Sequence, residues 1–237
     1  MLKSNLIQSN MSYQIKRYMA SKTNLGKWNQ IKSLYKKYGN DNYMINEPVN
    51  QIKHAIYTHQ IMKNILNYVV IDECPKTPYL TQIITDMKCS AFLHDIGHFL
   101  TNDTPVCPSS GQDDHHELVG YKYLKQMGFS PIVYKPVYEH VNAKRYLCAV
   151  DKTYQASLSL GSVQSLKLQG GPMTLTEANI FSDTFYFRYN MLLRECDDAS
   201  KNVEGVMELF KNESTACYLE EIKKDILDSL DNLTNMR

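Results

Sequence analysis

The sequence predicts an all-α protein. Apolar residues recur at helical spacing along most of the chain, and we find no convincing stretch of alternating apolar and polar residues that would indicate a strand. Clusters of Gly, Pro, Asn and Asp separate the helical stretches. A chain of 237 residues fits one large domain and is long enough to bury a core.

The composition excludes several classes of protein. The chain is 43% hydrophobic and 22% charged, and its net charge is +1, so no global field favours nucleic acid or a membrane surface. No run of 18 or more apolar residues predicts a transmembrane helix. The six cysteines have no CxxC spacing, which is typical of free thiols in a reducing, cytoplasmic compartment. Nothing in the pattern predicts an oligomeric state.

The beginning of the chain differs from the rest. Residues 1–40 contain eight Lys and Arg and no acidic residue. We therefore divide the chain into a basic, polar extension over residues 1–42 and a domain over residues 43–237 that ends in a C-terminal helix. An organelle-targeting segment is the alternative interpretation of the acid-free start.

The helices can be placed along the chain from periodicity and turn signals. Pro48 suits the first turn of one helix, with Asn46 or Glu47 near its cap, and Gly97 suits the end of another. His140 is expected at the end of the helix that Pro131 opens. The predicted helices cover residues 24–37, 48–70, 79–97, 116–126, 131–140, 152–167, 174–200 and 216–235.

The histidines are clustered in the sequence. All seven lie between positions 54 and 140, which is the distribution that a metal site would leave. His59 and His115 fall on polar faces and are predicted to be exposed. The remaining candidates lie on, or at the end of, different predicted helices, as in metal sites built between facing helices. They are His54, the adjacent His94 and Asp95, His116, His140, and a late acid, Asp197.

Other interpretations of these residues remain open at this stage. A histidine on a core-facing position such as His54 can be structural, and Asp95 can cap the turn that follows it. Four imidazoles and two carboxylates, however, exceed the needs of one ion, and they suit two ions that share Asp95. Imidazole and carboxylate ligands favour iron, manganese or zinc over calcium, and the absence of cysteine argues against structural zinc.

This order of ligands resembles the HD-domain superfamily of helical bundles, which are mostly metal-dependent phosphohydrolases. Several stretches are similar to a smaller branch, the mixed-valent di-iron oxygenases of phosphonate breakdown. They are residues 47–54, 116–124, 140–147 and 169–173, and the resemblance covers about residues 43–200.

The resemblance implies two iron ions, Fe(II) and Fe(III), with O2 as co-substrate. One iron would be held by His54, His94, Asp95 and Asp197. The other would be held by the bridging Asp95 together with His116 and His140.

The resemblance also implies a substrate site for a small organophosphonate. Tyr43 would close an open metal position, and Glu47 would bind the amine of the substrate. Three residues separate Tyr43 from Glu47 where the family has two. The phosphonate group would be bound by His98, Lys144, Ser162 and Arg194, and the expected catalytic residues are Tyr43, Glu47, His98 and Lys144.

The implied activity is oxidative cleavage of the C–P bond of 2-amino-1-hydroxyethylphosphonate or an N-substituted relative, giving glycine or its N-substituted form and phosphate. The alternatives are a phosphohydrolase that acts on a nucleotide or other phosphate ester, and a non-catalytic binding domain. Individual residues also have simpler interpretations. Lys144 with Arg145 can be a solvated helix end, Ser162 can cap a turn, and Arg194 can pair with Glu195 or Asp198 on the surface.

Overall fold

The computed structural model describes residues 22–41, 49–73, 77–100, 113–201 and 214–235. Within these ranges the protein is built from α-helices, and no strand occurs in them, so the predicted all-α class is confirmed. The helices are α1 (residues 22–38), α2 (Gln51–Glu73), α3 (Pro78–Leu93), α4 (His116–Gln126), α5 (Pro131–Val150), α6 (Lys152–Ser157), α7 (Leu160–Leu168), α8 (Leu175–Ser182), α9 (Phe187–Ser200) and α10 (Thr215–Asn235).

Local sequence explains several of the helix starts. The hydroxyl of Thr77 accepts a hydrogen bond from the Leu80 amide, and Pro78 follows in the first turn of α3. At the start of α8, Thr174 and Glu177 form a reciprocal capping box. Asn50 caps α2, because its side chain accepts from the Lys53 amide at 3.0 Å. The predicted cap at Asn46 or Glu47 is therefore wrong by several residues.

The largest core joins helices from both ends of the chain. Its members come from α1, α2, α3, α4, α5 and α10 and from the turn that follows α3. Trp28 and Ile31 of α1 are buried there together with Ile222 and Ile226 of α10. The N-terminal helix therefore packs as part of the helical core, while the predicted boundary at residue 42 stays a prediction.

Two helix ends differ from the sequence prediction. Helix α3 ends at Leu93 rather than at Gly97, and a short 3-10 turn, Ile96–Phe99, follows it. Gly97 allows a close approach instead of ending a helix, because a Cβ there would overlap the carbonyl oxygen of His116. Helix α5 runs to Val150, about ten residues beyond His140, since residues 141–149 keep a buried stripe against α9.

Two of the predicted helices are divided in the structure, and several residues named in the sequence analysis lie outside the described ranges. The stretches predicted as single helices at 152–167 and 174–200 are each two helices, α6 with α7 and α8 with α9. Tyr43, Asn46, Glu47 and Pro48 lie outside the described residues. The described cysteines are free, with Cys89, Cys148 and Cys196 buried and Cys217 exposed. None of the helices in the described ranges combines the length and the apolar character needed to cross a lipid bilayer.

Candidate metal centre

The six residues predicted as metal ligands come together in the interior. His54 lies in the second turn of α2, His116 opens α4, and His140 lies midway along α5. The pair His94 and Asp95 follows the last residue of α3, and Asp197 lies on α9. All six side chains are buried. Five separate segments therefore converge on one buried cluster of imidazoles and carboxylates.

The first pocket is formed by α2, α3 and α9. The Nε2 atoms of His54 and His94 lie 3.1 Å apart. Asp197 Oδ1 lies 3.2 Å from His54 Nε2 and 3.7 Å from His94 Nε2. Asp95 Oδ2 lies 3.2 Å from His94 Nε2 and 3.6 Å from His54 Nε2. Four donor atoms thus surround one point.

The second pocket lies on the other side of Asp95. The Nε2 atoms of His116 and His140 are 3.1 Å apart. Each of them lies 3.6 Å from Asp95 Oδ1. One oxygen of Asp95 therefore faces the first pocket and the other faces the second, which is the arrangement of a bridging carboxylate. The side chain of Asp95 makes no capping hydrogen bond to the turn that follows it, so the interpretation of Asp95 as a cap is wrong.

Hydrogen bonds orient every imidazole of the two pockets. His94 Nδ1 lies 2.9 Å from the carbonyl oxygen of Ala91, and His140 Nδ1 lies 2.7 Å from that of Val137. A carbonyl only accepts, so both Nδ1 atoms carry the proton and donate it.

The other two imidazoles are held by side chains. Ser200 Oγ donates to the Asp197 carbonyl and lies 2.9 Å from His54 Nδ1, which donates to it. His116 Nδ1 lies 2.9 Å from Asp114 Oδ1. In all four histidines Nδ1 is anchored and Nε2 points at the shared centre, as in proteins where outer partners orient metal-binding histidines.

Protonation differs within each imidazole pair. Burial lowers the pKa of His54 to about 4 and holds the pKa of His140 well below its usual value. Burial also opposes the charged form of His94, but the negative charge of Asp95 outweighs it and raises the pKa to about 10. For His116 the hydrogen bond that its ring donates to Asp114 outweighs burial and raises the pKa. The first pair therefore holds a neutral His54 and a protonated His94, with a proton between their Nε2 atoms. In the second pair the pKa values of His140 and His116 are likewise shifted in opposite directions.

The donor set fits a pair of metal ions. Among the described residues, Asp95 Oδ2 is a buried oxygen without a hydrogen-bond partner, while Asp197 Oδ1 lies 2.8 Å from the Nζ atom of Lys201. Buried carboxylate oxygens normally have such partners, and leaving them without one is costly. A cation in the first pocket would give Asp95 Oδ2 a partner, and a cation in each pocket could be bound by both Nε2 atoms of the pair. Three of the residues, His54, His94 and Asp95, also lie close enough together to hold one ion.

His98 lies at the edge of the second pocket. Its ring stacks on His116 with a centroid distance of 3.9 Å, and its Nε2 atom lies 3.9 Å from Asp95 Oδ1. Its Nδ1 atom lies 2.7 Å from Asp114 Oδ2. Asp114 therefore binds His98 through one oxygen and His116 through the other. The sequence analysis missed Asp114, although an acid two residues before a candidate ligand was a visible signal.

Two further predicted site residues belong to neighbouring helices, Lys144 to α5 and Ser162 to α7. Lys144 is buried, and its Nζ atom lies 2.8 Å from Ser165 Oγ. The interpretation of Lys144 as a solvated helix end is therefore wrong. Burial, with the positive charges of Arg194 and Lys201, lowers the pKa of Lys144 to about 7. Ser162 is also buried, and Ser159 rather than Ser162 caps α7, so the capping interpretation is wrong as well.

Arg194 is buried beside the first pocket. Its Nη1 atom donates to Asp197 Oδ2 at 2.8 Å, and its Nε atom lies 2.8 Å from Asp198 Oδ2 and 3.1 Å from the Tyr154 hydroxyl. Arg194 does pair with Asp198, as one interpretation expected, but in the interior rather than on the surface. Each terminal nitrogen of the guanidinium carries a second N–H that can serve an anion.

Exposure to solvent was predicted for the two remaining histidines, correctly for one and wrongly for the other. His115 is exposed, as predicted, and its backbone is in the left-handed region. His59 is buried, because its Nε2 atom lies 2.9 Å from Asp225 Oδ2 on α10. The sequence analysis missed this contact because the two residues are 166 positions apart.

Comparison with known proteins identifies the family of this chain. The sequence profile of the HD domain matches residues 79–183. Over 161 residues the chain is 35% identical to the hydroxymethylphosphonate dioxygenase of Gimesia maris, and the alignment covers 68% of this chain and 71% of the relative.

Two further relatives cover similar shares. The 1-hydroxy-2-(trimethylamino)ethylphosphonate dioxygenase (glycine-betaine-forming) of Leisingera caerulea is 32% identical over 174 residues, 73% of this chain and 80% of its own length. An uncharacterized protein of Acanthamoeba polyphaga mimivirus is 31% identical over 175 residues, 73% of this chain and 72% of its own.

The helical fold and its paired pockets of histidine and aspartate define an HD-domain protein with candidate metal ligands. The chain belongs to the HD-domain family that includes these phosphonate dioxygenases. It is accordingly an oxidoreductase of the phosphonate oxygenase type. The family resemblance seen in the sequence is confirmed.

Proposed function

We propose that this protein is a di-iron oxygenase that cleaves the C–P bond of a 1-hydroxy-2-aminoethylphosphonate-type substrate with O2. The products would be glycine, or an N-substituted glycine, and phosphate. The observation that carries the proposal is the pair of Nε2 pockets on either side of Asp95. Two relatives whose names specify 1-hydroxyphosphonates support the substrate class.

The proposed metal ligands are those that the two pockets contain. One iron would be held by His54, His94, Asp95 and Asp197, and the other by Asp95, His116 and His140. Imidazole and carboxylate donors without thiolate suit a non-haem iron centre. When bound, the metal pair would supply Lewis acidity and the redox capacity for the reaction with dioxygen.

The reaction balances without another reductant. The hydroxylated carbon becomes a carboxylate as its bond to phosphorus breaks. One oxygen atom of O2 ends in the carboxylate and the other in phosphate. The electrons that reduce dioxygen all come from that carbon and from the C–P bond.

The chain supplies cationic donors for the phosphonate group. Lys144 and Arg194 are buried, and the charge of Arg194 contributes to the lowered pKa of Lys144, so an anion bound by both would offset this repulsion. Ser162 is buried on the neighbouring helix α7, and His98 stands at the edge of the second pocket. We assign phosphonate binding to His98, Lys144, Ser162 and Arg194, because charge-assisted hydrogen bonds are the strong ones for such an anion.

His98 and Lys144 would also act in catalysis, by holding the phosphonate while its bond to carbon breaks. Glu47 is assigned to the amine of the substrate and Tyr43 to the closing of an open metal position. Both of these residues lie outside the described residues, so their roles rest on the sequence resemblance alone.

The test is phosphate release by protein purified without oxygen and loaded with iron. Three substrates are compared that differ in the group attached to the hydroxylated carbon. They are hydroxymethylphosphonate, 2-amino-1-hydroxyethylphosphonate and its N-trimethyl derivative. We expect phosphate only when O2 is admitted, and labelled dioxygen should place one atom in each product. Glu47→Ala should weaken turnover of the 2-amino substrate and leave that of hydroxymethylphosphonate unchanged.

Two results would contradict the proposal. Phosphate release from a nucleotide panel without O2, with another divalent metal bound, would indicate a phosphohydrolase. Two bound irons with no turnover of any of the three phosphonates would exclude the proposed substrate class.

A further inference from the structure

The N-terminal helix α1 lies before the region that matches the HD domain, which begins at residue 79. It nevertheless packs into the main core through Trp28, Ile31 and Tyr35. Tyr35 contacts residues close to His94 and Asp95 in the sequence, and these contacts have no role in the function proposed above.

Tyr35 holds the end of α3 that presents His94 and Asp95. Its hydroxyl donates to the carbonyl oxygen of Phe92 at 2.5 Å, in a fully buried hydrogen bond. Phe92 precedes His94 by two residues, and its carbonyl is one of the last four of α3, which lack the regular helical partner. The hydrogen bond therefore fixes the backbone from which two proposed ligands project.

The ring of Tyr35 also contacts the chain on both sides of these ligands. It stacks on Phe92 with a centroid distance of 4.4 Å, and it meets Phe99 edge-on at 4.9 Å. Phe92 lies just before His94 and Asp95, and Phe99 is the last residue of the 3-10 turn that follows them. Tyr35 thus restrains this segment at its beginning and at its end.

The C-terminal end of α1 is bonded to the start of the helix that carries His54. The Gly39 amide donates to the Tyr35 carbonyl at 2.8 Å, and the Gly39 carbonyl accepts from the Ile52 amide at 2.8 Å. Ile52 precedes His54 by two residues. Gly39 makes this approach possible, because a Cβ there would overlap the Tyr35 carbonyl oxygen.

We propose that α1 is a positioning element for the first metal pocket and that Tyr35 is its central residue. The inference rests on the proposed metal centre. One residue, Tyr35, is bonded through its side chain to the backbone near His94 and through its carbonyl and Gly39 to the backbone near His54. The Nε2 atoms of these two histidines must stay about 3 Å apart to share one ion, and α1 connects the two backbones that set this distance.

The test is an anaerobic titration of the metal-free protein with Co(II), followed by the absorption spectrum of the bound ion. Tyr35→Phe removes the hydroxyl and keeps the ring. We expect it to weaken binding of one of two Co(II) ions by about tenfold, as the loss of outer-shell partners does, and to change the spectrum of that ion. Ile31→Val is the matched control, because it trims a buried residue of the same helix one turn away.

A double-variant cycle identifies the affected pocket. His54→Ala should leave one Co(II) site, and adding Tyr35→Phe to it should cause no further loss of affinity. Wild-type Co(II) affinity and spectrum in Tyr35→Phe would overturn the inference, and so would an equal loss in Ile31→Val. Wild-type protein that binds fewer than two Co(II) would instead contradict the proposed metal centre.

Discussion

His54 and His94 face each other through their Nε2 atoms at 3.1 Å, although they are 40 residues apart in the sequence. His116 and His140 repeat the same contact at the same distance. In all four residues the Nδ1 atom is held by a hydrogen bond, so the rings cannot turn away from each other. Two pairs of fixed nitrogen donors on either side of Asp95 are the physical basis of the metal-binding predictions that follow.

Metal binding should release protons. His94 has a pKa raised to about 10, so it is protonated in the metal-free protein at neutral pH, and the pKa of His116 is also raised. A metal ligand must be neutral imidazole, and we therefore expect about one proton to be released when the first pocket binds its metal, with a further contribution from His116 in the second pocket. Affinity should rise with pH up to about 10 and fall on acidification.

Calorimetry in buffers of different ionisation enthalpy measures this release. In His94→Ala the release should fall to that of the second pocket alone. Zn(II) or Co(II) binding with no proton release, and with affinity independent of pH, would contradict the assigned protonation.

Replacing the bridging carboxylate should empty both pockets. Asp95→Ala removes the only side chain among the described residues that faces both imidazole pairs, so both metals should be lost. Metal analysis after anaerobic purification measures this. Asp225→Asn is the control, because Asp225 is a largely buried acid paired with His59 and Lys88, away from the pockets. Retention of two metals in Asp95→Ala would refute the bridge.

Asp114 should control the second pocket selectively. Asp114→Asn removes the negative charge that holds His116 and His98, and the affinity for the second metal should fall by roughly ten- to a hundredfold. The first pocket should keep its metal. The neighbouring Asp113→Asn, which affects only the exposed His115 at 3.2 Å, should bind both metals normally. Equal behaviour of the two variants would show that Asp114 has no such role.

Phosphonate binding should weaken as the pH rises above about 7. Burial and the charges of Arg194 and Lys201 lower the pKa of Lys144 to about 7, so the ammonium form is present below this pH and is lost above it. If only the charged form binds the phosphonate, kcat/KM should fall by about tenfold per pH unit on the alkaline side.

The dependence on Lys144 is checked with two variants. Lys144→Met should lower kcat/KM at neutral pH, abolish the inflection near pH 7, and leave the metal content unchanged. Lys125→Met, in α4 and exposed, should keep the wild-type profile. An inflection that persists in Lys144→Met would assign the titration to another group.

Local pattern was sufficient for several parts of this protein. The limits of α4 agree with the prediction, because a sequence rich in Pro, Gly, Ser and Asp precedes it and Gly128 lies just beyond the end of the helix. The set of candidate ligands could be collected because each has a residue type with distinctive chemistry. Their roles in metal binding stay predictions that the variants above test.

Other features depend on contacts between distant parts of the chain. His59 looked exposed because its neighbours in α2 are polar, yet these neighbours pair with α10, where Gln60 and Lys63 both contact Glu221. The acid that pairs with His59 lies 166 residues away. Periodicity along one helix shows an apolar stripe, but it does not show a second, polar surface buried by a distant helix.

By itself, the sequence determined the helical class, the candidate metal ligands and the family, because these follow from side-chain chemistry and from short-range pattern. Only the tertiary structure decided that the two oxygens of Asp95 face different pockets, that Asp114 joins His98 to His116, and that Tyr35 holds the carbonyl of Phe92. These relationships are distances of a few ångströms between separate segments. Such distances are set by how the helices pack, which no local pattern encodes.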